Sequence, residues 1–333
     1  MFLFGISNYE GGLDPLILLL MALVIETYAG QLGTVSRLNF HPLNALESLT
    51  VWFDLKLNRE NRNQTDRAIR GGLTSLVIIC MSGAVGWGIA WLSQALPFAW
   101  IFETILILML IKQSGVYKAV QNVSIALNDH GLEIARKNVA KLTSEAPEKM
   151  DGHSIARMAI KILATSLVTQ VVAPVFWYVL FGFSGLAVYH AIAIMSKKLS
   201  HENERYRAFG FAASQLNNIL LIIPAQLSGI FIVLASLFVP TANPVTCFTT
   251  MLRDARKFHS YNLGVAIAAF AGAFKLALAG PKKFTQETKK ELWLGNGTAQ
   301  ATYLDIRRSL YLFAVACLLN VMWVAALTML RYM

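Results

Sequence analysis

Three runs in this chain, Leu73–Leu96, Ile219–Val239 and Leu310–Leu330, contain no Asp, Glu, Lys or Arg. Each is about as long as the 20 or so apolar residues that carry a helix across a bilayer core. Composition extends the constraint: 56% of the 333 residues are hydrophobic, only 14% are charged, and mean hydropathy is +0.52. Soluble domains carry about 25% charged residues, so this chain has too few polar side chains to coat a water-soluble globule. The expected fold class is all-α: a polytopic membrane helix bundle with polar, partly helical cytoplasmic loops, residues 1–333 forming a single integral membrane domain.

Further apolar segments lie near 13–28, 98–111 and 263–278, and each is short for a span. The stretch 162–195 is too long for one crossing and contains Pro174, Gly182 and Gly185. These are helix breakers, and a broken hairpin turning near Gly182–Gly185 is expected. Met1-Phe2-Leu3-Phe4 lacks the basic start of a signal peptide, so 13–28 reads as a retained helix.

The charge balance is +10, from 29 Lys and Arg against 19 Asp and Glu. Lys and Arg number six in Gly30–Gly72, seven in Lys112–Arg157, four in Ser196–Asn218, three in Leu252–Asn262 and six in Pro281–Ser309, while Ser93–Pro97 has none. This distribution is the positive-inside pattern of membrane proteins. The expected partner is therefore the lipid bilayer, and no motif points to nucleic acid. Within the loops, Asn58–Arg70 reads as a solvated face. Asn128–Lys149 reads as an amphipathic helix with Leu132, Ala135, Val139 and Leu142 at helical spacing. Gly264, Ala268 and Gly272 form a small-residue ladder suited to close helix packing.

Several chemistries are excluded. No phosphate-cradling G-x-x-x-x-G-K-[ST] occurs, and Gly83, Gly86 and Gly88 fall inside an apolar helix. His201-Glu202 begins a zinc-protease signature, but Arg205 stands where its second histidine must be. Six histidines without ligand spacing predict no structural metal, and Cys80, Cys247 and Cys317 predict no disulfide framework. What remains is one dense polar segment, His201 to Arg207, with Lys197-Lys198 before it and Gln215, Asn217 and Asn218 after it. Arginines there offer paired donors to a phosphate or carboxylate; an ordinary charged loop whose ions pair with one another is the other reading.

Asn203-Glu204-Arg205-Tyr206-Arg207-x-Phe209-Gly210, followed by Ile223-Pro224-Ala225-Gln226-Leu227, resembles the CobD/CbiB family of adenosylcobinamide-phosphate synthases. Val171-Val172-Ala173-Pro174-Val175-Phe176-Trp177 is similar to the family's VVAPLFW, and His41-Pro42 to its HPV element. Asp254-Ala255-Arg256, Ser260 with Asn262 and Gly264, Gly280-Pro281 and Trp293-Leu294-Gly295-x-Gly297 resemble its C-terminal elements. The order and spacing match from about Glu26 to Arg308. The resemblance implies a multi-pass protein of the bacterial cell (inner) membrane and of cobalamin biosynthesis. It implies a ligase joining adenosylcobyric acid, a corrinoid substrate, to aminopropanol phosphate with ATP and Mg²⁺ as cofactors. Glu204 and Asp254 are the catalytic candidates; His41, Asn203, Arg205, Arg207, Arg256 and Lys257 are the substrate- and phosphate-binding candidates; none is assigned as a metal ligand.

The chain departs from the family at its acids. Lys161, Thr165 and Thr169 stand where ESLAENLSDG has carboxylates, and Ser196 stands at the Asp of INTLDSM. Asn217-Asn218 replaces the paired acids of LDD, Asn296 the Asp of WLGDG, and Ser144-Glu145-Ala146-Pro147 the GRDT element. An Mg²⁺ carboxylate supports several kcal/mol of charge stabilisation. Two functions are therefore carried forward: the synthase, and a catalytically degenerate AmpE-like membrane sensor or regulator on the same scaffold. A transporter is the weaker third, because Lys161 and Lys275 lie near segment ends where they can snorkel to the interface.

Overall fold

The computed structural model describes residues 13–29, 42–59, 63–143, 148, 150–199, 205–281 and 292–333. Helices dominate: α1 (Pro15–Ala29), α2 (Pro42–Leu57), α3 (Gln64–Ala95), α4 (Ala99–Leu110), α5 (Gln113–Ile125), α6 (Leu132–Ala140), α7 (Gly152–Ser166), α8 (Ala173–Lys198), α9 (Phe211–Leu220), α10 (Ile222–Ser236), α11 (Pro244–Asp254), α12 (Tyr261–Phe274) and α13 (Tyr303–Tyr332). The strands β1 (Leu278–Ala279) and β2 (Trp293–Leu294) pair antiparallel. Among the described residues, four helical stretches are long and apolar enough to cross a membrane: Gln64–Ala95, Ala99–His130, Gly152–Lys198 and Tyr303–Tyr332. The broken pair Phe211–Leu220 and Ile222–Ser236 makes a fifth if it is one span. The chain is an all-α polytopic membrane bundle.

Contacts group the chain into two compact units, where the sequence reading takes one domain over 1–333. Unit 1 comprises residues 1–112, 173–221 and 324–333, and unit 2 comprises 113–172 and 222–323.

In unit 1, α3 packs along α8. Gly86 permits this, because a Cβ there would run into the backbone of Phe183 and Ser184. Ile78, Ile192, Met195 and Ala213 form the buried core, and Leu46, Leu49 and Phe53 of α2 pack against it. At Gly182 the backbone takes φ 62° and ψ −151°, which ends the helical path inside α8. Gly185 then lies against the carbonyl of Trp177. Eight residues along an unbroken helix would put those positions about 12 Å apart, so the chain folds back at Gly182. Glu103, 2% exposed on α4, accepts a 2.8 Å hydrogen bond from the Tyr178 hydroxyl. Asp14 accepts from the Leu16 N–H at 2.8 Å and pairs with Arg331 at 3.0 Å, holding the start of α1 to the end of α13.

In unit 2, α12 is the central element, buried from Gly264 to Ala273. Helix α11 lies antiparallel against it. A Cβ at Gly264 would overlap the Ala255 carbonyl, and one at Gly272 would overlap the Thr246 carbonyl, so the small-residue ladder is where two backbones meet. The Thr246 hydroxyl adds a 2.8 Å bond to the Gly272 carbonyl. Helix α7 is capped by Asp151, which accepts from the Ser154 N–H at 2.8 Å; the Ser154 hydroxyl first, and then that amide, hold the Asp151 carboxyl below its ordinary value. Helix α6 is shorter than the 128–149 expected. Gly131, at φ 83°, interrupts the path before Leu132, and the helix ends at Ala140.

Candidate functional site

Among the described residues, the predicted site residues are divided between a polar cluster in unit 2 and another in unit 1. In unit 2, Asp254 is the last residue of α11 and its side chain is 0% exposed. Arg253 donates to it from Nε at 2.8 Å and Nη2 at 2.7 Å. Lys257, one turn on, places Nζ 2.6 Å from Oδ1, and the Gly295 N–H donates to Oδ2 at 2.9 Å. Charged donors lower a carboxyl pKa: Arg253 above all, with Lys257 and the Gly295 amide, holds Asp254 well below the usual carboxylate range. In return, Asp254 draws Arg253 upward.

The loop carrying Gly295 is closely built. It leaves β2, and Gly295 takes φ 90°, a left-handed conformation that glycine adopts without a Cβ clash. A side chain at Gly297 would overlap the Lys275 carbonyl. The Thr298 N–H donates to that carbonyl at 3.1 Å, and the Ala277 N–H donates to the Thr298 carbonyl at 2.9 Å. Helix α7 braces the loop from its other side. Arg157 donates to the Ala299 carbonyl and lies 5.5 Å from the Trp293 ring centroid, and His153 Nδ1 is 2.9 Å from the Ala301 carbonyl. Lys161, on the same helix, sits 5.4 Å from the Phe258 ring centroid. Arg256 is exposed on the short turn Ala255–Lys257. Five cations, Arg157, Lys161, Arg253, Arg256 and Lys257, thus belong to the elements around one buried carboxylate.

In unit 1, Asp54 of α2 is 5% exposed. Its Oδ1 accepts from Asn58 at 2.8 Å, and its Oδ2 from the Tyr206 hydroxyl at 3.3 Å, with Arg205 Nη2 at 3.5 Å. Arg67 donates to Asn58 Oδ1 at 2.8 Å and to the Arg205 carbonyl. Burial first, and then the Asp54 carboxylate, pushes the Tyr206 phenol up. Asn58, read as part of a solvated face, is 3% exposed.

The structure therefore joins Asp254 with Lys257, places Arg256 on the same turn, and engages Arg205 with Asp54. Arg207 is exposed on the segment after Arg205. His41, Asn203 and Glu204 lie outside the described residues. Sequence reasoning missed Arg253, Gly295 and Arg157 in one cluster and Asp54, Asn58 and Arg67 in the other. Two spacings carried a usable signal: Arg253 with Lys257, and Asp54 with Asn58, are i,i+4 pairs.

At two of the family's acidic positions the hydroxyls bond to their own helix. Thr165 Oγ1 donates to the Lys161 carbonyl at 3.0 Å, and Thr169 Oγ1 to the Thr165 carbonyl at 3.0 Å. Among the described residues no group of three or more His, Cys, Asp or Glu is arranged to hold a metal ion.

The family profile described as CobD/Cbib protein matches residues 19–313. This chain belongs to the CobD/Cbib family. It is 32% identical over 304 residues to a cobalamin biosynthesis protein CobD of Brucella anthropi, covering 90% of this chain and 92% of that one. To the CobD protein of a Sinorhizobium species it is 30% identical over 317 residues, covering 94% and 98%. To that of Listeria monocytogenes it is 25% identical over 295 residues, covering 88% and 93%. The match thus takes in both units and both polar clusters. No solved structure matches the chain.

Proposed function

We propose that this protein acts in cobalamin biosynthesis as an adenosylcobinamide-phosphate synthase, a multi-pass ligase of the bacterial inner membrane. It would join a carboxylate of adenosylcobyric acid to the amine of aminopropanol phosphate with ATP. The observation that carries the reading is the cation cluster held around Asp254 and the Gly295 loop, in a chain that matches CobD relatives almost end to end. Arg253 and Lys257 are partly exposed, with 49% and 38% of their side chains accessible, so they can meet a phosphate while Asp254 fixes their spacing. Guanidinium groups suit such anions because they donate in pairs.

A carboxylate is a poor acyl donor, because its leaving group would be an oxide. Attack of a carboxylate oxygen on a phosphorus of ATP forms a mixed anhydride and releases the remainder of the nucleotide. The amine then attacks the carbonyl carbon, the phosphate-bearing oxygen leaves with the bonding pair, and the amine loses a proton. In this scheme Arg253, Arg256 and Lys257 offset charge on the transferred phosphate. Asp254 serves as a positioning residue for these unit 2 cations. In unit 1, Arg205 and Arg207 as binders of substrate phosphate and Glu204 as an acceptor of the amine proton are proposed on the family resemblance alone. Mg²⁺ does not fit the described cluster, because protein donors already fill both Asp254 oxygens.

The test is the purified full-length protein in lipid nanodiscs, given adenosylcobyric acid, ATP, Mg²⁺ and aminopropanol phosphate, with the amide read by mass spectrometry. Product formation, with Lys257→Ala and Arg253→Ala raising KM for ATP or the amine about tenfold or more, supports the proposal; one lost charge-assisted hydrogen bond is worth about that much. A folded protein that makes no amide, and fails to restore cobalamin synthesis in a synthase-deficient strain, overturns it.

A further inference from the structure

Helix α2 has two apolar faces, and among the described residues only one of them packs within unit 1. Leu46, Leu49 and Phe53 pack against the Ile78–Ile192 core. On the opposite side Val51, Trp52 and Leu55 are 42%, 51% and 70% exposed. Water is a poor solvent for such a face, since removing apolar surface from water is favourable roughly in proportion to its area.

The position of α2 identifies the solvent that suits it. Glu47, near one end, forms an ion pair with Lys198, the last residue of α8. Asn58, just beyond the other end, is bonded to Arg67 in the first turn of α3. Helices α3 and α8 run antiparallel, Gly86 meeting Ser184 and Gly83 meeting Val188, so Lys198 and Arg67 lie at the same end of that pair. Helix α2 is thus strung between two polar helix ends. Helix α3 changes there from charged to apolar: Asp66, Arg67 and Arg70 give way to Leu73 and Leu76, both exposed. Arg67 and Leu73 are separated by about 9 Å along the helix axis, the depth over which a membrane passes from headgroup to acyl chain. The uncovered face also has interfacial chemistry. Trp prefers that zone, and Lys56 holds its ammonium 4.6 Å from the Trp52 ring centroid.

We propose that α2 is an in-plane membrane helix whose Val51, Trp52 and Leu55 enter the headgroup–acyl boundary, with Lys56 directed at lipid phosphate. This separates the segment from the solvated loops and makes it part of the bilayer-binding surface. The assignment does not depend on catalytic activity.

Bimane is attached to Leu55→Cys and, as a milder substitution on the same face, to Ser48→Cys, both in a Cys80→Ala background. The full-length protein is placed in phosphatidylethanolamine–phosphatidylglycerol vesicles containing brominated acyl chains. Glu133→Cys on α6, whose native side chain is 77% exposed, is the water-facing control. The expected result is strong bromolipid quenching and a several-fold lower iodide quenching constant at both α2 positions than at the control. Iodide quenching equal to the control overturns the proposal in favour of a solvated face. Protection from both quenchers overturns it in favour of a protein surface covering the helix.

Discussion

The Gly295 N–H donates to Asp254 Oδ2 at 2.9 Å, joining the end of α11 to a loop 41 residues further along the chain. The same carboxylate holds Arg253 and Lys257. Removing it leaves two cations side by side and a buried amide without its acceptor. Asp254→Ala is expected to cost about 2–3 kcal/mol, somewhat less than a fully buried pair because both cations are partly hydrated. The check is thermal unfolding in detergent at pH 7. Folding lowers the pKa of this carboxyl, so on acidification the unfolded chain takes up the proton first. The stabilisation is complete above the unfolded value of about 4 and is lost as pH falls through the depressed folded value. The gap between wild type and Asp254→Asn should therefore close in strong acid.

Gly297→Ala should be far more damaging than its size suggests. The added methyl would overlap the Lys275 carbonyl oxygen, and the backbone there is tied by the Thr298–Lys275 and Ala277–Thr298 bonds. Overpacking of this kind costs about 1–3 kcal/mol. Gly88→Ala, which meets no atom within 4 Å, is the control. Comparison of the two unfolding temperatures gives the result, with only Gly297→Ala expected to lower it by several degrees.

Tyr178→Phe tests the buried hydrogen bond to Glu103. Both side chains are nearly inaccessible, at 1% and 2%, and hydrogen bonds between membrane helices are worth about 0.6 kcal/mol on average and up to about 1.7. A loss in that range is expected, and Glu103→Gln, which keeps an acceptor oxygen, should lose less. A double-mutant cycle on unfolding free energies separates the pair from its surroundings.

Cysteine reactivity reports burial directly. Cys80 is exposed on the apolar body of α3, whereas Cys247 and Cys317 are buried. Burial pushes the Cys247 thiol up to about 12, which starves it of reactive thiolate. In folded protein at pH 7, a maleimide should leave Cys247 and Cys317 unlabelled, and denaturation should raise the count to three. Peptide mass mapping locates the adduct.

The helices of this bundle were legible in the chain because their signals are local. Leu73–Leu96 ends one residue past the end of α3, and Leu310–Leu330 falls within α13. Their lengths were not legible: α3 begins at Gln64, nine residues earlier, because its first turns carry Asp66, Arg67 and Arg70 into polar surroundings that hydropathy scores as loop. Pairings were the least visible. Asn58 looked like a surface residue because nothing near it in sequence reveals that Arg67 and Asp54 close around it.

The order of apolar and cationic segments was by itself enough to determine a membrane bundle with basic edges, since the cost of placing a run in lipid depends on its own length and charge. Only the folded chain decided that Asp254 ends inside a ring of donors, that Arg205 turns toward Asp54, and that Gly297 lies flush against Lys275. Those outcomes depend on contacts of about 3 Å between residues tens to more than a hundred positions apart. No local preference encodes such distances; they arise when helices with small residues at the right places pack closely enough to bring remote backbones together.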